Sequence, residues 1–213
     1  MKKTIIYICF SILAGSLFAQ ELKTIVLNPP NLKRGLPVME ALSLRASASE
    51  FSDAKLKLQD LSDLLWAANG INRIESGKRT ASSAMNSQDI DVYVFTEEGA
   101  YFYDANGNIL KPVVRGDQRG LVAGSQTEFA KAAVILVLVS DISRFKSGDK
   151  PLKLSWAAMD AGIVSQNIAI FCAGTGLNTR PRATMDLVKL KSILHLKDSQ
   201  HLILNNPVSY QKE

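Results

Sequence analysis

Apolar positions along the chain repeat with two different periods, and the switches between them outline its elements. From Pro37, which suits the first turn of a helix because its missing N–H has no partner there anyway, Val38, Ala41, Leu42 and Arg45 follow at helical spacing. They predict a first helix from Pro37 to about Ser47. In LKLQDLSDLLWAANG, Leu58, Leu61, Leu64, Leu65 and Ala68 form the stripe of a second helix, with Gly70 placed to end it in the left-handed conformation. The period then becomes two. Ile90, Val92 and Val94 alternate with Asp91 and Tyr93, Glu98-Gly99 turns the chain into AYFYD, and Asn106-Gly107 is a two-residue turn signal before Ile109-Leu110. Residues 90–113 are therefore expected to form an antiparallel meander. GDQRGLVAGSQTEFAKA is expected to be helical, and AVILVLVSD reads as a strand covered on both faces. A long helix over KLSWAAMDAGIVSQNIAIFCAGTG ends near Gly174 or Gly176, and its small residues Ala157, Ala158, Ala161 and Gly162 would let another backbone come close. MDLVKLKSILHL predicts a further helix and HLILNNPVSY a last strand. The fold class is α+β, helices over a mostly antiparallel sheet.

The N-terminus follows a different pattern. Met1-Lys2-Lys3 precedes the apolar run Ile5 to Phe18 and then Ala19-Gln20, the build of a secretory signal peptide. The run falls short of the roughly 20 residues of a membrane span. Residues 1–19 are thus expected to be cleaved after Ala19, with no Cys there to carry a lipid, and the chain to be exported to the periplasm. Residues 20–35, with a Pro-Pro pair and little period, read as a surface arm, and 36–213 as one domain. Loss of the signal removes two lysines and no acid, taking the formal net charge from +5 to +3. With basic and acidic residues interspersed, no nucleic-acid face is indicated. Cys9 leaves with the signal, so Cys172 stands alone and no intramolecular disulfide can form. His195, His201 and one Cys are too few for an ordinary zinc site unless carboxylates complete it.

Catalysis by side chains finds little support. No G-x-S-x-G elbow accompanies the histidines, there is no P-loop, and GTGLNT follows a helix instead of a strand, so it fails the dinucleotide fingerprint. Chemistry would have to come from a cofactor. For one, Arg45, Ser47 and Ser49 at the end of the first helix suit phosphate or polyol oxygens. Ser83 and Asn86 add donors and acceptors that need no ionisation, Ala84 would let a flat ligand approach the backbone, and Lys212 could bring a second positive charge.

Taken in order, these segments resemble the FMN-dependent nitroreductase family. The anchors are Arg45-Ala46-Ser47-Ala48-Ser49-Glu50-Phe51 against R-x-S-x-R/K-x-F, the helix LSDLLWAANGINR, RTASSAMNSQDIDVYVF against R-T-A-P-S-A-x-N, DAGIVSQNIAIFCAGTGLNT, and NPVSYQK against V-G-Y-P-K. The branch is similar to the domain of the peptide thiazoline/oxazoline dehydrogenases. The resemblance implies a sandwich of helices over a sheet, intertwined as a homodimer with FMN at the interface, and ping-pong hydride transfer to or from a nitroaromatic, quinone or other conjugated molecule. It implies that Ser83, Ala84 and Asn86 line the flavin from one subunit while Arg45, Ser47 and Lys212 hold ribityl and phosphate oxygens from the other. Ala46 and Ser49 belong to the same motif, and the backbone of Arg182-Ala183-Thr184 would meet the ring near N5, where a donor stabilises the reduced flavin. Departures are Ser49 for a basic residue, Ala46 for Arg or His, Ser82 for Pro and Ser209 for Gly. They leave room for an alternative, an exported non-catalytic dimer of the same fold that has lost FMN.

Overall fold

The computed structural model describes residues 21–211, so the segment read as an export signal and Lys212 lie outside it. Nine strands and five α-helices alternate irregularly among the described residues. The strands are β1 (Ile25–Val26), β2 (Ile71–Arg73), β3 (Lys78–Arg79), β4 (Ile90–Phe95), β5 (Gly99–Asp104), β6 (Ile109–Arg115), β7 (Val134–Asp141), β8 (Leu177–Thr179) and β9 (Gln200–Tyr210). The helices are α1 (Val38–Leu44), α2 (Leu58–Asn69), α3 (Arg119–Ala123), α4 (Lys150–Thr175) and α5 (Leu187–Ile193). Seven strands make one sheet in the order β1-β6-β5-β4-β7-β9-β8, every pairing antiparallel, while β2 and β3 form a separate ribbon. The α+β class and the meander of β4, β5 and β6 are as the sequence implies.

Helices cover both faces of the sheet. Val92, Val94, Leu136 and Leu138 meet Leu64 and Leu65 of α2 and Val164 and Ile168 of α4 on one side. Tyr93, Phe95, Val137 and Val139, pointing the other way, meet Phe51, Val122, Phe129 and Leu190. This two-sided burial explains why β7 reads as an unbroken apolar run in a sheet without a parallel pair. Each such side chain contributes roughly 1.5–3 kcal/mol when taken from water.

α4 sets the scale of the domain. Asp149 caps it by accepting from the Leu152 N–H at 3.0 Å, and Gly176, at φ 74°, closes it in the left-handed conformation. Its 26 residues span about 39 Å at 1.5 Å each. It is long and apolar enough to cross a membrane, yet Ala157, Ala161, Val164, Ile168 and Cys172 are buried within the domain. α1 rests on its C-terminal turns, where Leu36 N–H donates to Gly174 O at 2.9 Å and Ala41 is buried. The rest of α1, Val38, Met39, Leu42 and Leu44, stands exposed.

The N-terminal segment is pinned along its length. β1 pairs with β6, the Asn28 N–H donates to Ser62 Oγ at 2.9 Å, and Arg34 bridges Asp60 and Asp63 of α2 at 2.5 and 3.1 Å. Tyr210 on β9 donates its hydroxyl to the same Asp60.

Four local expectations need correction. The first helix stops at Leu44 rather than Ser47. Gly70 is extended, at φ −75° and ψ 166°, because the chain passes straight into β2; a Cβ there would meet the Trp66 ring at 2.6 Å. Asn106-Gly107 is part of a four-residue turn in which Asn108, at φ 48°, takes the left-handed position and Asp104 Oδ1 accepts the Asn106 N–H at 3.0 Å. The segment after β6 breaks at Gly124, at φ 61°, into α3 and a separate 3-10 turn, Thr127–Lys131.

Candidate functional site

The segment leaving α1 is laid along β8 and the end of β9. Ala48 N–H donates to Thr179 O at 3.0 Å, Asn178 Nδ2 to Glu50 O at 3.1 Å, and Ser52 N–H to Ser209 Oγ at 3.0 Å. These contacts leave Arg45, Ala46, Ser47 and Ser49 facing outward, all exposed. Among the described residues nothing engages the Arg45 guanidinium or the Ser47 and Ser49 hydroxyls. Ala46 borders a cavity of about 310 Å³ with Ala48, Cys172, Gly176, Thr179 and Gln211, the residue before Lys212. Thr179 Oγ1 is buried there without a hydrogen-bond partner. Such an atom costs the fold about 1–3 kcal/mol and marks where a ligand hydroxyl would be welcome. Burial pushes the Cys172 thiol far above its ordinary range, which makes it an inert core residue.

Arg182, Ala183 and Thr184 follow β8. Arg182 exchanges both backbone hydrogen bonds with Asn205 of β9, at 2.8 and 2.7 Å, so its amide is not free for a ligand. Its side chain is 6% exposed and turned inward. All five guanidinium N–H groups are used: Nε and Nη2 on Gln126 Oε1 (3.1 and 2.9 Å), Nη2 on Ala123 O (2.8 Å), Nη1 on Asn205 Oδ1 (2.8 Å) and Val122 O (3.5 Å). The guanidinium lies over the Phe129 ring at 4.3 Å. Asn205 Nδ2 in turn donates to Thr184 O at 3.1 Å. The exposed Ala183 and Thr184 amides, unengaged within the described chain, are the donors this segment presents.

Ser83, Ala84 and Asn86 belong to a tight loop before β4. The Ala84 N–H donates to both carboxylate oxygens of Asp160 on α4, at 3.1 and 2.9 Å. Ser83 Oγ accepts from the Gln88 N–H at 2.8 Å. Met85, Asn86 and Gln88 all take positive φ, between 48° and 54°, a conformation that costs a residue with a Cβ about 1–2 kcal/mol. Asn86 is exposed. Arg79 is turned away, donating to Asn69 O at 3.0 Å and to Gln88 Oε1 at 3.1 Å beside a different, polar cavity.

One chain therefore holds these residues in two places. Ser83–Asn86 sit at the level of Asp160, Ala46 at the level of Cys172, and twelve helical residues separate the two levels by about 18 Å. Local periodicity could not reveal Asp160, Asp89, Thr179 or Asn205, which hold these segments, because their partners are distant in sequence. Among the described residues, no cluster of three His, Cys, Asp or Glu is placed to hold a metal ion.

The chain belongs to the nitroreductase family, whose model matches residues 42–209. A protein of Ralstonia eutropha JMP134 assigned as a nitroreductase is 32% identical in its crystal structure, with a TM-score of 0.83 over 89% of this chain and 90% of that one. The Methanocaldococcus jannaschii protein MJ1384, also assigned as a nitroreductase, is 26% identical over 186 residues, 79% of this chain and 92% of that one. A Staphylococcus epidermidis protein described as an NAD(P)H:FMN oxidoreductase shares the fold at 12% identity, TM-score 0.64, over 84% and 89% of the two chains. The chain is accordingly an oxidoreductase of nitroreductase fold.

Proposed function

We propose that the chain is an FMN-dependent oxidoreductase, acting as a homodimer and moving hydride in two half-reactions between a reduced donor and a nitroaromatic, quinone or other conjugated small molecule. The observation that carries this reading is the separation just described. A ligand touching both groups needs a second copy with its α4 reversed, the isologous arrangement of a two-fold dimer. Exposed Val38, Met39, Leu42 and Leu44 on α1, with Met159 and Ile163 on α4, provide an apolar surface for it.

The residues present fit FMN. Arg45 and Ser47 are exposed, unengaged donors suited to phosphate and ribityl oxygens, with Lys212 two residues beyond β9 as a second cation. Small Ala46 leaves space beside the unpartnered Thr179 Oγ1, and the Ala183 and Thr184 amides can donate to a flat ring. Bound FMN would supply the hydride chemistry. The chain's part is to bind, orient and shield the reacting surfaces. Membership of the family and the FMN in the name of the Staphylococcus relative support this choice of cofactor. With residues 1–19 acting as an export signal, the enzyme works in the periplasm, where nicotinamide donors are scarce, and takes its electrons from another donor or runs as a dehydrogenase.

A second reading rests on Ser49. This position carries no charge, and the Arg79 guanidinium is committed to Asn69 O and Gln88 Oε1. The chain would then be a non-catalytic exported dimer. The two are separated by adding FMN to the purified protein, passing it through gel filtration and recording the visible spectrum. Flavin absorbance in a dimer-sized peak is expected, and a colourless dimer would overturn the enzyme reading.

A further inference from the structure

Two carboxyl groups meet behind the loop that carries Ser83, Ala84 and Asn86. Asp89 ends the loop and is fully buried, and Asp160, on α4, is 3% exposed. Asp89 accepts from Ser140 Oγ at 2.5 Å and Ser87 Oγ at 3.2 Å, and the Asp160 carboxyl lies close enough to act on it. Asp160 accepts the Ala84 N–H. Two carboxylates cannot share a hydrogen bond unless one carries a proton. Among the described residues no cation neutralises the pair: Arg144 is taken by Asp91 at 2.7 Å, and Asp141, the residue after Ser140, faces Ser143 and Arg144. His201, opposite Ser140 across β9, lies among Lys150, Lys191 and Asp141. Among the described residues, the ionisable group set against Asp89 is therefore Asp160.

The loop gives this pair something to hold. Its three positive-φ residues would relax on release, and strained backbone persists only where its surroundings over-determine it.

We propose that Asp89 and Asp160 are positioning residues, a carboxyl clamp closed by one shared proton that holds the Ser83–Gln88 loop in its flavin-binding shape. The inference rests on the FMN reading for its ligand but not for the clamp itself. With the proton present, Asp89 donates to Asp160, which keeps its oxygens on Ala84. Loss of the proton leaves two adjacent buried charges, and their repulsion is relieved by lifting the loop from α4. Burial above all pushes the Asp89 carboxyl up to about 6, the Ser140 hydroxyl pulling it back and Asp160 adding to the rise. A carboxyl raised in the folded state favours the fold while protonated, and that contribution fades as pH rises through this value.

The test compares the wild-type chain with Asp89→Asn, whose amide donates to Asp160 without a titrating proton, and with Ser140→Ala. FMN affinity is measured by quenching of flavin fluorescence from pH 5.5 to 8, and thermal melting of the FMN-free protein is followed over the same range. The phosphate of FMN titrates here too, equally for every variant, so the quantity read is the difference between variants. Asp89→Asn should gain at least tenfold in relative FMN affinity over wild type from pH 5.5 to 8. It should also remove the fall in melting temperature that the wild type shows over that range. Ser140→Ala should move the wild-type midpoint to higher pH, and it carries the test if Asp89→Asn does not fold. Profiles for Asp89→Asn parallel to wild type, or an unmoved midpoint in Ser140→Ala, overturn the clamp. If no variant binds FMN, the function reading falls and the melting profiles still decide on the clamp.

Discussion

Replacing Arg182 by Met keeps the length of the side chain and removes all five donors. Gln126 is exposed and regains water. Val122 O and Asn205 Oδ1, both in buried residues, are left without the donor they had, while Ala123 O keeps the Gln126 N–H at 3.2 Å. At about 1–3 kcal/mol per orphaned acceptor, the gross loss is about 2–6 kcal/mol. Against this stands the part of that sum recovered by no longer burying a guanidinium, which leaves a net destabilisation of about 1–3 kcal/mol. Val122 O, at 3.5 Å, contributes least, so the lower half of that range is the sharper expectation. Urea unfolding at neutral pH measures it as a shift in midpoint at constant slope. A double-mutant cycle with Asn205→Ala should give a coupling of about 1–3 kcal/mol, since the two side chains are bonded directly. A loss below 1 kcal/mol, or strict additivity with Asn205→Ala, would refute the assignment of Arg182 as the buried anchor of the Ala183-Thr184 donors.

Two further outcomes are expected. Gly70→Ala drives a Cβ into Trp66, within 2.7 Å of its Cα and carbonyl; overpacking of this kind costs about 1–3 kcal/mol, seen in urea unfolding together with a changed Trp fluorescence. Arg45→Ala and Ser47→Ala, at exposed and unengaged positions, should leave the melting temperature of the FMN-free protein within a degree or so while weakening FMN binding about tenfold for the charged contact, measured by fluorescence titration.

Periodicity made the sheet and helices legible because burial acts on neighbours in sequence: β7 is apolar at successive positions since both its faces are covered, and α2 shows its stripe since one face is. The turns were less legible. Asn106-Gly107 carries the signal of a two-residue turn, but the Asp104 carboxylate captures the following amides and hands the left-handed position to Asn108. At the candidate site, the sequence pointed to outward-facing residues such as Arg45, Ser47 and Asn86. It was silent on what holds them. The Ala84–Asp160 contact spans 76 residues and the Arg182–Asn205 contact 23, and no local pattern encodes pairings of that reach.

The position of β9 has a consequence in time. It lies between β7 and β8, pairing with β7 from Val134 to Asp141 and with β8 throughout, yet it is made after every other strand. Until it emerges, β8 has no neighbour, Arg182 has no Asn205, and one edge of β7 lies open. A nascent chain of this design can pair β4, β5, β6 and β7 as they appear, but β8 and Arg182 wait for one late step, when Asn205 and Val208 arrive together.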